Sequence, residues 1–405
     1  MAVTEHQFDI LIAGAGLVGA SLACALAGHP ATAHLRIGIV EAGGAPDVFA
    51  GDDFDPRVVA LTCASQRYLQ RLGAWELVTG ARLCPYTDMH VWDAEGTGAI
   101  HFDAREVQQD CLGHIVENSV VLAALWQRLE ALPGVELLHP EKVSGVERRA
   151  PDTVAVSLES GRALAAALLV AADGANSQIR QFVGFKTREW NYGHKAIVTT
   201  VKTERSHQFT AWQRFLDTGP LAFLPLQTAA GDDHYCSIVW SAQQALADDL
   251  MELDSDAFNG RLAQAFEYRL GAVTDSAERF CIPLRQRHAV DYVQPTIALV
   301  GDAAHTIHPL AGQGVNLGLL DAAVLGEEVV RAVQRQVPLA DFSVLRRYQR
   351  RRQSHNLGMM AVMEGFKRLF GTRALPIRWL RNRGMSRLDS LPVLKNAVVK
   401  QAMGL

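Results

Sequence analysis

Forty-one residues at the start of the chain constrain its fold more than any other segment. Phe8 to Ala13 is a short apolar run of strand type, followed by Gly14-Ala15-Gly16-Leu17-Val18-Gly19 and an Ala/Leu-rich stretch to Gly28. A second strand-like run, Leu35 to Val40, ends at Glu41. This is a β-turn-α-β unit whose three glycines have separate jobs. Gly14 allows the tight turn, Gly16 lets the backbone approach a pyrophosphate, and Gly19 lets the helix pack close to the strand. Phosphates sit at the helix N-terminus, where free N–H groups and the dipole favour negative charge. Glu41 stands 22 residues beyond Gly19, where a carboxylate binds ribose hydroxyls and disfavours a 2′-phosphate. The unit predicts a Rossmann-like domain for FAD or NAD.

At 405 residues the chain is longer than one ordinary domain, so the unit should be part of a larger α/β assembly. Farther along, Gly113 to Leu132 reads as a strand (GHIVEN) and a helix (Ser119 to Leu132) stopped by Pro133-Gly134. Val154 to Leu158 alternates like a strand. Leu164 to Ala172 reads as a buried strand ending at Asp173-Gly174-Ala175-Asn176-Ser177, with Arg180 on the next helix. Between Thr187 and Pro283 the texture turns to alternating, aromatic segments (Ile197 to Val201, Leu221 to Leu224, Tyr235 to Trp240), as in an antiparallel sheet. The domain expectation is a discontinuous FAD-binding domain (1–80, 111–186 and 284–345). An inserted α+β substrate domain takes 81–110 and 187–283, and a basic helical region takes 346–405.

A second motif spans Gly301 to Asp321, GDAAHTIHPLAGQGVNLGLLD. The strand Ile297 to Val300 ends in Gly-Asp, a loop carries Pro309, and Gly312-Gln313-Gly314 opens a helix through Leu320. Glycines at a helix start expose backbone donors to an anionic or electron-rich ring edge. Asp302, at a strand's C-terminal end, is placed to accept hydrogen bonds from a sugar-like chain. One ligand meeting two segments some 285 residues apart must be long, which favours FAD over a mononucleotide.

Composition and charge exclude other classes. The longest wholly apolar run, Ala163 to Ala172, has ten residues, short of the roughly 18–20 of a membrane span. The residues ahead of the first helix carry Glu5 and Asp9 but no Lys or Arg, unlike a secretory signal, so a cytoplasmic protein is expected. The six cysteines (Cys24, Cys63, Cys84, Cys111, Cys236, Cys281) have no metal-site spacing and read as reduced, buried thiols. No metal is expected. Net charge is −4, against nucleic-acid binding, but it is uneven. Arg346 to Leu405 holds 14 Lys/Arg against 2 Asp/Glu, leaving −16 on the rest. Such a basic tail suits docking to an anionic bilayer or to the acidic body itself.

GAGLVG with Glu41, AADGANSQIR (Ala171 to Arg180) and GDAAHTIHPLAGQGVNLG together resemble the flavoprotein aromatic hydroxylases with the p-hydroxybenzoate hydroxylase fold. Asp55-Pro56-Arg57, LGHIVENSV (Leu112 to Val120), FLPL (Phe223 to Leu226) and the closing KQAMGL extend the resemblance to the ubiquinone-biosynthesis hydroxylases. It covers nearly the whole chain and is closest to the 2-polyprenylphenol hydroxylases, with the methoxy-polyprenyl-benzoquinol hydroxylases close behind. The resemblance implies that Gly14, Gly16, Gly19 and Glu41 hold the AMP half of FAD. It also implies that Arg57 lies near the pyrophosphate and flavin edge, and that Asp173 braces the pyrophosphate and bears on NADH or NADPH use. Asp302 meets the ribityl side, and the Gly312, Gly314, Val315 and Asn316 backbone meets the flavin ring. The competing assignment for Asp173 and Arg180 is a helix cap with a surface partner.

The implied chemistry is hydroxylation of a polyprenylated phenol through a 4a-hydroperoxyflavin, ortho or para to an existing oxygen, with ortho as the leading expectation. The cofactor performs the hard step, so no side-chain catalyst is singled out. His305 and His308 flank a tight loop and read as packing or loop hydrogen bonding rather than as bases. Trp75, Trp92, Trp126, Trp190, Trp212 and Trp240 read as core or pocket lining. A prenyl-lipid reductase or oxidase and a non-enzymatic flavin-stabilised scaffold share the nucleotide motifs. The expected partners are a prenylated substrate, a ubiquinone-biosynthesis assembly, further copies of the chain, and the inner membrane as a peripheral contact of the basic tail. Upstream of residue 340 no segment stands out as a lipid collector.

Overall fold

A computed structural model describes residues 6–306 except 50, 52, 95–97 and 151, then residues 313–371, and residues 391, 395, 396, 400 and 403. Three sheets organise these residues. At the centre of the first lies β1 (His6–Ala13), paired in parallel with β2 (Ile37–Val40) and β11 (Ala163–Ala171). The order β18 (Val293–Gln294), β19 (Ile297–Leu299), β11, β1, β2, β8 (Val135–Leu138) is extended by β10 (Thr153–Leu158) and β9 (Val143–Ala150). Parallel strands covered on both faces are apolar throughout rather than alternating. Ile10, Leu11, Ile12, Leu168, Leu169, Val170, Ala298 and Leu299 are accordingly all buried.

Alanine-rich α1 (Leu17–Ala27) packs on this sheet beside α4 (Asn118–Glu130) and α8 (Gln313–Gln334). A small sheet of β3 (Val58–Thr62), β7 (Gly113–Glu117) and β4 (Cys84–Tyr86) stands beside it, continued by α2 (Cys63–Arg71) and α3 (Trp75–Thr79). GHIVEN is therefore a strand as expected, but of this antiparallel sheet. The short α5 (Gln178–Phe182) follows β11 and carries Arg180.

The second large sheet has nine strands. Its order is β20 (His305–Thr306), β17 (Phe280–Ala289), β12 (Thr187–Thr203), β15 (Tyr235–Gln243), β14 (Gly219–Leu226), β13 (Thr210–Leu216), β5 (Asp88–Asp93), β6 (Ala99–Asp103), with β16 (Val273–Ser276) also on β12. The pairing is antiparallel except between β13 and β5. One face carries Trp92, Ile197, Leu221, Phe223, Ile238 and Trp240 against α6 (Gln244–Glu252) and α7 (Ser255–Ala265), helices that the strand-like texture of this stretch conceals. The other face presents Ala211, Ala222, Leu224 and Leu226 to Phe54, Ala60 and Ile115 of the first half. That seam joins the two halves.

Helix α8 runs well past Leu320 because its inner side stays apolar: Leu319, Ala322, Leu325 and Val329 are buried. The last long helix, α9 (Phe342–Gly371), packs on α8. Its basic residues pair with acids of α8: Arg347 and Arg351 reach the fully buried Glu328, and Arg351 also reaches Glu327. Near the chain end, Lys395 meets Glu106 at 2.9 Å and Met403 packs beside Cys63, Val107 and Leu112. All six cysteines are free thiols, and burial pushes those of Cys24 and Cys84 up to about 12. Trp75, Trp92, Trp126 and Trp240 are core residues, whereas Trp190 departs from expectation and is 48% exposed.

Candidate cofactor and active site

The β1–α1 turn is shaped for a phosphate. Gly14 has φ +101°, and a Cβ there would lie 2.4 Å from the Ala172 carbonyl oxygen. A Cβ on Gly19 would lie 2.0 Å from the Gly14 carbonyl oxygen, so only glycine lets α1 approach β1 this closely. At Gly16, the N-cap of α1, a Cβ would meet no protein atom within 4 Å. Glycine there keeps open a space that the rest of the chain leaves free. Glu41 ends β2 and accepts from the Ala15 N–H at 2.7 Å with one carboxylate oxygen and from the Gly43 N–H with the other. It thus fixes the turn from the end of β2. Trp126 of α4 donates to the Ala15 carbonyl at 2.9 Å, a brace that its sequence context did not reveal.

Arg57 extends from the start of β3 and is exposed, 3.8 Å from the buried Asp55. Asp55 accepts from the Arg57 and Ser119 N–H groups, and Glu117 accepts from the Asp55 N–H and from Arg82. The arginine is therefore exposed and held firmly at its backbone. Asp173, just beyond β11, accepts from the Ile179 N–H of α5 with one oxygen, as a helix cap does. Its other oxygen is buried without a partner. A buried acceptor left open is costly unless a ligand group completes it. Arg180 is no surface partner. It is buried and donates to the Ala175 and Ala303 carbonyls at 2.8 Å each, tying the Asp173 loop to the Asp302 loop.

Asp302 projects from the turn after β19, where Gly301 has φ +59°. Its side chain is exposed, yet the surrounding protein raises its carboxyl above the ordinary value, opposed by His305 and assisted by Asp321. Exposure combined with desolvation marks a concave wall. Beneath it lies a buried polar network centred on Asp321 of α8. One Asp321 oxygen accepts from the Gly301 N–H at 3.1 Å and meets His305 Nε2 at 2.5 Å. The other accepts from Arg352 Nε at 2.7 Å and from Asn356, both on α9. Burial alone raises the Asp321 carboxyl, but His305 and Arg352 outweigh it and hold the group below the usual carboxylate range. His305 is thus buried in strand β20 and tied to Asp321, not an exposed base.

Helix α8 begins at Gln313 with Gly314 and Val315 half-buried in its first turn, which carries no acid. Asn316 also has a structural task. Its buried side chain accepts from the Thr62 N–H and Ser65 hydroxyl and donates to the Ala60 carbonyl, stapling α8 to β3 and α2. Gly312 and His308 lie outside the described residues. The site therefore gathers Gly14, Gly16, Gly19, Glu41, Asp173, Asp302 and the start of α8 around the C-terminal ends of the parallel strands.

A family profile described as an FAD binding domain matches residues 7–362. The 3-demethoxyubiquinol 3-hydroxylase of Escherichia coli is 38% identical, over the full length of both chains. The chain belongs to the FAD-dependent aromatic monooxygenases. Within them it stands among the ubiquinone-biosynthesis hydroxylases. The ubiquinone hydroxylase UbiL of Rhodospirillum rubrum is 36% identical over 98% of this chain and 89% of its own. The FAD-dependent monooxygenase PqsL of Pseudomonas aeruginosa shares the fold, with TM-score 0.76 at 22% identity over 94% of this chain and 100% of its own.

As in other members, FAD belongs in this cleft, and the residues present fit it. The open space at Gly16 would take a pyrophosphate, the exposed Arg57 would supply a cation, and the orphaned Asp173 oxygen and exposed Asp302 would supply acceptors for hydroxyl or amide donors. Bound there, FAD supplies the redox chemistry of ring hydroxylation.

Proposed function

We propose that this monooxygenase hydroxylates the ring of a polyprenylated phenol or quinol on the route to ubiquinone, at a carbon ortho to a ring oxygen, with NADH or NADPH as reductant. The observation that carries this reading is the seam between the two halves. Asn316, in the first turn of α8, holds the Ala60 carbonyl, and Ala60 packs in one cluster with Ala222 and Leu224 of the nine-stranded sheet. A flavin ring at the start of α8 would face that sheet, whose apolar side suits an aromatic ring and excludes water. The backbone N–H groups at that helix start favour negative charge on the cofactor.

The chain's own residues position rather than react. Arg180 and Arg352 fix the loops that carry Asp173 and Asp302, and Glu41 and Trp126 fix the pyrophosphate turn. The full-length likeness to a demethoxyubiquinol hydroxylase favours the benzoquinol as substrate, whereas the sequence motifs alone had placed the 2-polyprenylphenol first. FAD-loaded enzyme given NADH or NADPH, each prenylated ring in turn and ¹⁸O₂ tests the reading. One ¹⁸O on the ring is expected; a reduced product without labelled oxygen would make the protein a reductase. The basic tail is proposed to bring the enzyme to the anionic membrane where such lipids reside.

A further inference from the structure

Four adjacent strands of the nine-stranded sheet place one apolar side chain each in a single cross-strand row. Ala222 of β14 pairs with Val239 of β15, Val239 with Val198 of β12, and Val198 with Phe280 of β17. At about 4.8 Å per strand the row is about 14 Å long. Its inner end is anchored at the seam: Ala222 is buried and clusters with Ala60, whose carbonyl Asn316 holds. Exposure then rises outward. Val239 and Val198 are half-buried on interior strands, although their neighbours Ile238, Trp240 and Ile197 on the opposite face are fully or nearly fully buried. Phe280 is 39% exposed, and Ile282, on the same face of β17 and paired with Ala196, is 48% exposed. The open face of an antiparallel sheet normally carries polar side chains, so a half-open apolar row leading from a cofactor site is a lined path.

We infer that this row seats the isoprenoid tail of the substrate, with the ring end at Ala222 and the tail leaving over Phe280 and Ile282. The inference rests on the proposed function, since it takes the tail from a prenylated ring. Branched, unsaturated hydrocarbon matches the row in chemistry, and the row's continuity with the seam fixes its direction. It also supplies the apolar contact that no segment before residue 340 announced, because its residues come from four strands separated in sequence.

Holoenzyme, Phe280→Asn and Ile282→Asn are compared on two quinols with the same ring, one with a three-isoprene tail and one with a methyl in its place. Both substituted positions are already exposed, so folding should be retained. The KM for the tailed quinol should rise at least tenfold with kcat within twofold, while the methyl analogue is unaffected. Equal effects on both substrates, or none on the tailed one, would overturn the assignment. So would a change of molar mass in solution without a change in tail discrimination, which would make the row an interface between copies. Farnesol binding by calorimetry keeps the two readings apart: binding by the wild type and not by Ile282→Asn would preserve the tail seat even if no ring were hydroxylated. Equal farnesol binding by both would sink it.

Discussion

At the scale of single residues, Gly16 and Asp302 separate cofactor binding from folding. A side chain at Gly16 collides with no protein atom, so Gly16→Val should fold and melt close to the wild type yet retain no flavin. Flavin absorbance after gel filtration, set beside the thermal midpoint of apoprotein, checks both halves of that statement. Asp302 has an exposed side chain with no described partner, so Asp302→Ala removes nothing the fold uses. FAD affinity should fall by about 1–3 kcal/mol, the range for a lost hydrogen bond to a buried group. A fluorescence titration giving an affinity within twofold of wild type would return Asp302 to a structural role. Gly16 announced itself in the motif. The open oxygen of Asp173 did not, because whether a carboxylate is satisfied depends on groups brought up by folding.

At the scale of elements, α9 is a clamp on the cofactor loop. Arg352 and Asn356 reach Asp321, which holds the Gly301 N–H and His305 two positions or fewer from Asp302's immediate neighbours. Arg352→Met leaves a buried carboxylate short of its cation, a change that costs about 3–5 kcal/mol in other buried pairs. Denaturant unfolding should show a loss of that order. Arg352→Met combined with Asp321→Asn should lose less than the sum of the two single changes, because no unpaired charge is left buried. Additive losses would mean that the two side chains act independently. The sequence marked Arg352 only as one of many basic residues in a basic tail. Its partner lies 31 positions upstream, and nothing in the local pattern pairs them.

At the scale of the whole molecule, the small sheet and the nine-stranded sheet respond to acid together. His114, in the small sheet, and His288, in the nine-stranded sheet, are buried, and burial lowers each to about 4. The unfolded chain takes up these protons near pH 6.5, whereas the folded chain does so only near 4. Stability is therefore full above about 6.5 and declines as the pH falls from there towards 4, by about 2 kcal/mol per histidine at pH 5. Urea midpoints at pH 7 and pH 5 measure the decline, and His114→Gln should shrink it. The basic tail makes a different demand. Arg347, Arg351, Arg352 and Lys395 pair with acids of the body, so they are committed within the fold. The proposed docking would therefore fall to arginines such as Arg378, Arg381, Arg383 and Arg387, which lie outside the described residues. Wild-type protein should sediment with anionic liposomes at low salt, and changing these four to Gln should weaken that binding. Equal binding by both proteins, or none by either, would remove the tail from membrane contact.

The sequence by itself determined the cofactor half of this protein. The glycines, Glu41, the Asp173 loop and the Gly301–Asp302 turn act through backbone shape and spacing, which are local and legible in a string of residues. It also marked several strands of both large sheets, because apolar runs and alternation report burial on two faces or one. Only the tertiary structure decided what each polar group does once buried: that Arg180 bridges two loops, that Asn316 staples a helix to a strand, that His305 is locked to Asp321 rather than free as a base. It alone also placed Ala222, Val239, Val198 and Phe280 in one row. Cross-strand neighbours are set by register and sheet order, and neither is written in the spacing of residues along the chain.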